Sequence, residues 1–271
     1  MITLKTPTQM AKMREAGRVV AEMLEECRAA VRPGVTTAEL DRIAAEVLRR
    51  SDATSSFFGY YGHPLKREVP PGFPRTICTS INEEIVHGIP SPKRKLREGD
   101  IVGIDAGAII DGWHADAAIT LPVGKVAPEA ERLIRVTEEA LRIGIANAMV
   151  GGRIGDIGAA IEEFVRAQGF TVVQNYVGHG IGRAMHEEPQ VPNYRPARGH
   201  PNPPIGEGLC IAIEPMVNIG GPETRTLEDQ WTVVTADRSL SAHFEHTLAC
   251  TAAGPVVLTV PGPGEGAAVA A

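Results

Sequence analysis

Four carboxylates in this chain stand inside apolar segments that are typical of buried strands. They are Asp105, Asp116, Glu214 and Glu245. A buried carboxylate without a partner is costly and would sooner take up a proton. Because no arginine lies in the surrounding apolar segments to pair with these acids, a shared metal centre is the arrangement that would resolve the charge problem.

The first two acids are placed for a β-hairpin. Asp105 and Asp116 are 11 positions apart (116 − 105), and Asp111-Gly112 lies between them. Asp-Gly is a strong turn dipeptide between antiparallel strands. Two strands that meet at this turn would bring Asp105 and Asp116 close to one another, as the ligands of one site must be.

A nitrogen ligand is offered by His179, which has a glycine on either side. These glycines let the backbone approach closely and leave the imidazole open. With the four acids, His179 gives a set of hard oxygens and one imidazole that suits Mn, Fe, Co or Zn. Five ligands with four formal negative charges are too many for one divalent ion, whereas two ions about 3.5–4 Å apart with bridging carboxylates fit.

A centre with two divalent ions indicates hydrolysis. The ions lower the pKa of a bridging water, which attacks a carbonyl, and they hold the oxyanion that results. A carboxylate then carries the proton to the leaving amine. Because aminopeptidases are among the enzymes that use such centres, the residues predict a metal-dependent hydrolase that removes an N-terminal residue from peptides.

Two further histidines stand in segments that would suit proton handling. His87 lies in Asn82–Pro90 and His186 in Met185–Pro189. From the residues alone, each is explained as well by a loop position as by a role in proton transfer. The remaining histidines are weaker candidates: His63, His114, His200, His243 and His246.

An internal repeat indicates how these side chains are positioned. When the sequence is shifted by 117 positions (127 − 10), Met10–Val31 falls on Ala127–Ala148, and both segments have the apolar periodicity of a helix. A second amphipathic helix follows in each half, with Thr37 predicted as the N-cap in the first. We therefore expect one metallopeptidase domain over residues 1–260, with a repeat at about 10–50 and 127–167.

The chain becomes rich in β-prone residues after each helix pair. The predicted strands are Arg75–Ser80, Ile101–Ile110, Ala115–Thr120, Thr171–Val177, Leu209–Ile213, Trp231–Thr235 and His246–Thr251. Long loops are predicted where proline and glycine cluster, at 58–74, 189–208 and 219–226, and a disordered tail at 261–271. The pattern predicts an α+β fold in which two copies of one unit form a single antiparallel sheet with helices on one side.

Composition narrows the location and the partners. The formal net charge of −6 gives no long-range attraction to nucleic acid or to an anionic membrane. None of the four cysteines forms a Cys-x-x-Cys pair, so reduced thiols are expected. The start of the chain lacks the apolar core of a secretory signal, and no segment approaches the roughly 20 apolar residues of a membrane helix. These features predict a soluble cytoplasmic protein.

Several motifs in the right order resemble bacterial-type type I methionine aminopeptidases, which are M24 "pita-bread" metallopeptidases. Besides the pair Asp105 and Asp116, the matching segments are Ser80–Pro90, Gly178–Gly182, His186–Pro189, Ile213–Met216 and Trp231–Thr247. The resemblance covers about residues 4–258. It implies a pseudo-twofold fold, in which a curved antiparallel sheet carries two helix pairs on its outer face.

The resemblance also implies a role for each metal ligand. Asp105 would chelate one divalent ion, His179 and Glu214 would bind the other, and Asp116 and Glu245 would bridge the two. The ions would be Co, Mn, Fe or Zn. The family's substrate is the initiator methionine of a nascent protein, removed when the next residue is small, so the implied partners are nascent N-termini at the ribosome. We expect the protein to act as a monomer.

The same comparison implies which residues meet the substrate. Glu214 would also carry the proton, and His87 and His186 would flank the scissile bond and stabilise the tetrahedral intermediate. The methionine pocket would include Phe73, Cys78 and Trp231. A soft apolar pocket of this kind suits an unbranched thioether.

The sequence departs from the family pattern around the pocket. Met185 stands where many bacterial members have phenylalanine, and His243 stands where glutamine is common. The segment Tyr60–Pro71 is longer than usual, so the pocket tyrosine is either Tyr60 or Tyr61.

Three alternatives share the fold. Proline-directed peptidases have the same ligands but usually carry a large extra N-terminal domain, whereas only 104 residues precede Asp105. Type II methionine aminopeptidases insert a helical subdomain between ligands that here are 35 positions apart (214 − 179). A non-catalytic, ribosome-associated binding homologue would be expected to lose ligands, and all five are present.

Overall fold

Antiparallel strands backed by helices make up the fold, and a computed structural model describes residues 1–60 and 72–262. The helices are α1 (Pro7–Ala30), α2 (Thr37–Arg50), α3 (Pro128–Ala146) and α4 (Ile154–Ala167). The strands are β1 (Thr54–Ser55), β2 (Ile77–Ile81), β3 (Glu84–Val86), β4 (Ile101–Ile110), β5 (Trp113–Pro122), β6 (Thr171–Val172), β7 (Gly178–Gly180), β8 (Glu187–Val191), β9 (Cys210–Ile213), β10 (Met216–Asn218), β11 (Thr224–Thr226), β12 (Val233–Thr235), β13 (Ser241–His243), β14 (Glu245–Thr251) and β15 (Gly254–Val257).

The described strands form one large sheet and two small ones. The large sheet has nine strands in the order β1-β4-β5-β14-β9-β7-β8, with β2 on β4 and β15 on β14. The small sheets, β13-β10-β6 and β11-β12-β3, have three strands each. The expectation of a single sheet is therefore wrong, because short strands after β9 pair among themselves and with β3 and β6.

Helices cover one face of the large sheet. Ile104 and Ala106 of β4 share the main hydrophobic core with Val20 and Met23 of α1. Since side chains alternate along a strand, Asp105 between them points to the opposite face. The large sheet thus has an apolar side packed on helices and a second side on which polar groups can gather.

Helix α2 starts at a capping box. Thr36, not Thr37, is the N-cap of α2, since its hydroxyl accepts from the Glu39 amide and the Glu39 carboxylate accepts from the Thr36 amide. Thr37 instead exchanges hydrogen bonds with the backbone of Ser91. A shift of α2 by 117 positions falls on the bounds of α4 (37 + 117 = 154; 50 + 117 = 167).

Two predicted loops contain strands, and one predicted strand is short. Residues 187–191 form β8 and 224–226 form β11. Pro189 is compatible with β8 because this strand ends the large sheet and proline is tolerated at an edge. The strand predicted over 171–177 stops after Val172. Residues 61–71 of the first predicted loop and 263–271 of the predicted tail lie outside the described residues.

No helix within residues 1–60 and 72–262 combines the length and the apolar character needed to cross a membrane. The four cysteines all lie in this part of the chain, and each is buried with a free thiol.

The Asp111-Gly112 turn gives a first testable prediction. Both residues have positive φ, 50° and 73°, which glycine adopts without strain and alanine does not. Gly112→Ala is therefore expected to lower the free energy of unfolding by about 1–2 kcal/mol. Urea denaturation measures this loss. Gly112→Asn is the matched control and should lose less, and equal stability of Gly112→Ala and the wild type would contradict the turn geometry.

Candidate metal centre and substrate pocket

The hairpin of β4 and β5 places the first two acids together. In the register of these strands, Asp105 lies opposite Ala118 and Asp116 lies opposite Gly107. Residues that lie opposite one another, or two positions apart, share a face of the sheet. Asp105 and Asp116 therefore project from the same face on adjacent strands, as the Asp-Gly turn predicted.

The other three predicted ligands reach this face from the next strands. Ala118 lies opposite Glu245 of β14 as well as opposite Asp105. His246 pairs with Ile213 of β9, so Glu214, directly after β9, lies beside Glu245.

His179 completes the row from β7. It lies opposite Ala212, two positions before Glu214, and so faces the same way. The sheet order β4-β5-β14-β9-β7 therefore aligns all five predicted ligands across one face.

Measured distances show how close these groups are. His179 Nε2 lies 3.6 Å from Glu214 Oε1. Ligand atoms of Asp116, His179 and Glu245 all lie within 4.8 Å of one another. These last three side chains are also buried, at 3%, 7% and 2% exposure. The spacing is that of a centre whose members could contact common cations.

Burial and crowding oppose negative charge at this centre. Burial raises the pKa of Asp105 to about 7. The pKa values of Asp116 and Glu245 are raised well above the usual carboxylate range, first by burial and then by neighbouring acids. The pKa of Glu214 is raised for the same two reasons, with Asp116 and Asp105 as the neighbours. A bound cation would reverse this penalty by supplying the missing positive charge.

Three carboxylate oxygens at the centre lack hydrogen bonds, as ligands of a metal ion would. Within the described residues, Asp105 Oδ1, Asp116 Oδ1 and Glu245 Oε1 are buried and have no hydrogen-bond partner. Buried polar atoms are normally satisfied, so three unpaired oxygens on one face need an explanation. Divalent cations take ligands of this kind, and the donor set of four carboxylates and one imidazole suits Mn, Fe, Co or Zn.

The tautomer and the neutral charge of His179 suit a metal ligand. Its Nδ1 lies 2.9 Å from the Gly180 carbonyl oxygen, which can only accept, so Nδ1 carries the proton. Nε2 is then left with a free lone pair on the side of Glu214. Burial, followed by repulsion from His186, lowers the pKa of His179 to about 3 and keeps the ring neutral.

His186 lies beside the predicted ligand His179, and His87 lies near His186. The ring centroid of His186 is 4.2 Å from that of His179, and its Nδ1 lies 2.5 Å from the Tyr60 hydroxyl. His87 contacts Trp231 edge to face, with ring centroids 6.4 Å apart. Burial, and then repulsion from His186, lowers the pKa of His87 to about 4, so both the ring's donor and its acceptor are available at neutral pH.

The backbone at His87 is unusual. Its φ is +61°, a conformation that costs a non-glycine residue about 1–3 kcal/mol and is concentrated at functional sites. The next residue, Gly88, holds this backbone in place. Its amide donates to Ser80 Oγ, and its carbonyl accepts from the Thr79 amide. A Cβ on Gly88 would lie 2.1 Å from the Thr79 carbonyl oxygen, so glycine is required there.

The predicted pocket residues form one apolar cluster. Its buried members are Phe57, Phe73, Cys78 and Met185, and its half-buried members are Tyr60, Ile89 and Trp231. The predicted set Phe73, Cys78 and Trp231 is thus brought together, with Phe73 and Trp231 ring centroids 5.2 Å apart. Cys78 also pairs with Asp105 in the sheet, which places the cluster next to the acids.

Sequence reasoning missed other members of this site. Phe57 and Ile89 gave no spacing pattern that would have marked them. Tyr60 lies at the site, where its hydroxyl contacts His186, and Tyr61 lies outside the described residues. His63 also lies outside the described residues.

Two of the weaker histidine candidates, His243 and His114, lie at the centre. His243 is 4% exposed, and its Nε2 is 4.0 Å from Glu245 Oε2. His114 lies two positions before Asp116 and bonds to Ser56 Oγ at 3.0 Å. Both stand two residues before a predicted ligand, so strand alternation could have placed them on the same face of the sheet. His200 is exposed, and His246 bonds to Thr259.

Comparison with known proteins places the chain in a family. The sequence pattern of metallopeptidase family M24 matches residues 11–252. The chain is 48% identical to a methionine aminopeptidase of Clostridium acetobutylicum over 261 residues, which is 96% of this chain and 99% of that protein. The crystal structure of methionine aminopeptidase from Thermotoga maritima superposes with a TM-score of 0.89 at 40% identity, covering 96% of this chain and 100% of that one.

A more distant likeness concerns the fold alone. An Xaa-Pro dipeptidase from Bacillus anthracis superposes with a TM-score of 0.72 at 20% identity, and the match covers 96% of this chain but 63% of that one.

The chain belongs to metallopeptidase family M24, and its curved antiparallel sheet with helices on one face is the pita-bread fold. Within that family it belongs to the methionine aminopeptidases. The predicted fold class, family and enzyme class are confirmed.

Proposed function

We propose that this enzyme removes the initiator methionine from nascent proteins and peptides when the second residue is small, with two divalent ions at its centre. The observation that carries the proposal is the set of unpaired, buried carboxylate oxygens aligned with His179 on one face of the sheet. The relatives named methionine aminopeptidase support the choice of methionine.

Each ligand has a proposed place. Asp105 would hold one ion, His179 and Glu214 would hold the other, and Asp116 and Glu245 would serve as ligands shared by both. The ions, drawn from Co, Mn, Fe and Zn, supply Lewis acidity and lower the pKa of water. That there are two ions, and that they are Co, Mn, Fe or Zn, is proposed here together with the ligand places.

The chain's own groups then move the proton and hold the substrate. Glu214 lies at the centre, with its Oε1 3.6 Å from His179 Nε2, and its carboxylate would take a proton from the attacking water and return it to the leaving amine. His87 and His186 are proposed to donate ring N–H groups to the substrate amide and to the oxyanion. Burial keeps the His87 ring neutral, so it retains one donor and one acceptor.

Selectivity is assigned to the apolar cluster beside the acids. Phe73, Cys78, Met185 and Trp231 offer aromatic faces and sulfur atoms to an unbranched thioether. The proposed partners are nascent polypeptide N-termini at the ribosome, met by a cytoplasmic monomer.

Two alternatives to methionine removal are each opposed by a particular observation. A proline-directed peptidase shares the fold, but the likeness to the Xaa-Pro dipeptidase is at 20% identity, against 48% to a methionine aminopeptidase. A non-catalytic homologue would not need the five ligands, and all five are present here. Metal analysis separates this last alternative, since a chain that never binds divalent ions would favour it.

The proposal is tested with a peptide series. Met-Ala-Ser, Met-Gly-Ser, Met-Leu-Ser, Leu-Ala-Ser and Ala-Pro-Ser are each incubated with the metal-loaded enzyme, and the released amino acid is quantified. We expect turnover of Met-Ala-Ser and Met-Gly-Ser only. Preferred cleavage of Ala-Pro-Ser would favour the proline-directed alternative, and equal cleavage of Met-Leu-Ser would remove the rule for small second residues.

His87 gives a prediction that separates substrate contacts from metal ligands. His87→Ala is expected to lower kcat by about 100-fold, since a positioned donor at the reacting bond contributes on this scale. The affinity for Mn, measured by titration calorimetry, should stay near the wild-type value. Loss of metal with unchanged turnover per bound metal would show that His87 is a ligand instead.

A further inference from the structure

A buried ion pair ties the start of the chain to the turn before His186. Lys5 Nζ lies 2.7 Å from Glu187 Oε2, and the two side chains are 4% and 15% exposed. Lys5 also donates to the Thr3 hydroxyl at 3.0 Å. Lysine is almost never buried to this degree unless it is paired, so the pair needs a reason.

The Glu187 carboxylate connects two segments. Its Oε2 accepts from Lys5 and from the Thr3 hydroxyl, at 2.7 Å each. Its Oε1 accepts from the backbone amides of Arg183 and Ala184, at 2.8 and 3.2 Å. One carboxylate therefore fixes the turn 183–186 and is itself oriented by the N-terminal segment.

The surrounding backbone is shaped around this pair. A Cβ on Gly182 would lie 2.6 Å from Lys5 Cε and 2.7 Å from Glu187 Oε1, so the last glycine of Gly-His-Gly-Ile-Gly leaves room for the pair. The Lys5 amide donates to the Gly208 carbonyl at 2.7 Å, which fixes the segment to the chain just before β9. Lys5 is thus held by its backbone as well as by its side chain.

His186 is the residue that this arrangement presents to the centre. It directly precedes Glu187, and its ring stands 4.2 Å from that of His179 and within hydrogen-bond distance of the Tyr60 hydroxyl. A shift of the turn would move the imidazole relative to both partners. Displacements of about 1 Å at a reacting group can cost 100-fold in rate.

We propose that Lys5 is a positioning residue for catalysis, which acts through Glu187 to hold the turn 183–186 and thereby the imidazole of His186. The inference rests on the role proposed above for His186. If Lys5 loses its charge, Glu187 is left as a half-buried carboxylate without its ion-pair partner. It then turns toward water and releases the amides of Arg183 and Ala184.

The test compares three full-length variants on Met-Ala-Ser with saturating Mn. Lys5→Met removes the charge and keeps most of the stem, and kcat is expected to fall about 10–100-fold with KM and Mn affinity near wild type. Lys12→Met is the control, because Lys12 makes an exposed pair with Asp111 at 3.8 Å. The double variant Lys5→Met/Glu187→Gln should regain most of the lost kcat, since a glutamine carbonyl still accepts from both amides and leaves no unpaired charge.

A second readout does not depend on activity. The ring resonances of His186 in a ¹H–¹⁵N histidine spectrum, assigned by their loss in His186→Gln, should move in metal-free Lys5→Met and stay in place in Lys12→Met. Inactive wild-type enzyme would refute the proposed function, whereas the spectra would still test the link from Lys5 to His186.

Several results would overturn the inference. These are a kcat for Lys5→Met equal to that of Lys12→Met, unchanged His186 resonances, a loss confined to KM or Mn affinity, and a double variant no better than Lys5→Met. If Lys5→Met does not fold, Glu187→Ala carries both readouts, because alanine removes the acceptor of the Arg183 and Ala184 amides, with a lower kcat and shifted His186 resonances expected. Wild-type values for Glu187→Ala would then reject the proposal.

Discussion

Replacement of Glu214 by alanine is expected to abolish measurable peptidase activity while the chain stays folded. Glu214 is proposed to bind an ion and to carry the proton from water to the leaving amine, and removal of a general acid-base group alone costs about 10²–10⁴-fold in rate. Its Oε1 lies 3.6 Å from His179 Nε2, so the substitution removes a carboxylate from the centre itself. The measurement is kcat for Met-Ala-Ser with metal supplied, alongside circular dichroism.

The control for this variant is Glu207→Ala, since Glu207 is an exposed glutamate seven positions earlier in the same segment (214 − 207). It should retain wild-type turnover. Near-normal turnover in Glu214→Ala would reject the assignment of Glu214, and an unfolded Glu214→Ala would show that the carboxylate has a structural role that we do not expect.

The second large effect is that of Asp105→Asn on the free energy of unfolding of the metal-free protein. Burial raises the pKa of Asp105 to about 7, above an ordinary aspartate value of about 3.9. A group whose pKa is raised on folding stabilises the folded chain below its unfolded pKa, and this contribution is lost as pH rises toward the folded value. In the metal-free protein, Asp105→Asn should therefore match the wild type near pH 4 and exceed it at pH 8 by on the order of 2–4 kcal/mol.

The comparison of two variants isolates the carboxylate. Buried histidines such as His87 and His179 have lowered pKa values, so they destabilise the folded chain as pH falls, but they contribute equally to both proteins. Addition of Mn should reverse the order, because the wild type binds the ions and Asp105→Asn loses a ligand. Urea denaturation at pH 4 and pH 8, with and without Mn, measures all four conditions. A metal-free wild type that is more stable than Asp105→Asn at pH 8 would contradict the electrostatic account.

The part of the site that lies on regular strands could be predicted from the sequence. Ile101–Ile110 was predicted with the bounds that β4 has, and the Asp111-Gly112 turn set the register that joins Asp105 to Asp116. The fold class followed from helix periodicity and from the spacing of the strands. These features depend on residues near each other in sequence, where alternation and turn chemistry act directly.

The rest depends on contacts between distant segments. Tyr60 and His186 are 126 positions apart, and Lys5 and Glu187 are 182 apart, with no shared period to link either pair. Short strands such as β8 and β11 form because neighbours supply their hydrogen bonds, while their own composition favours loops. His243 differs from these cases, because strand alternation from Glu245, two residues later, suffices to place it on the same face of the sheet.

Metal held by these five residues is expected to perform the cleavage. The most direct test is the rate of methionine release from Met-Ala-Ser, measured on protein stripped by a chelator and again after addition of Mn, Fe, Co or Zn. We predict no release by the stripped protein and recovery with at least one of these ions. Undiminished release after metal removal, or no release with any of the four ions, would contradict the account.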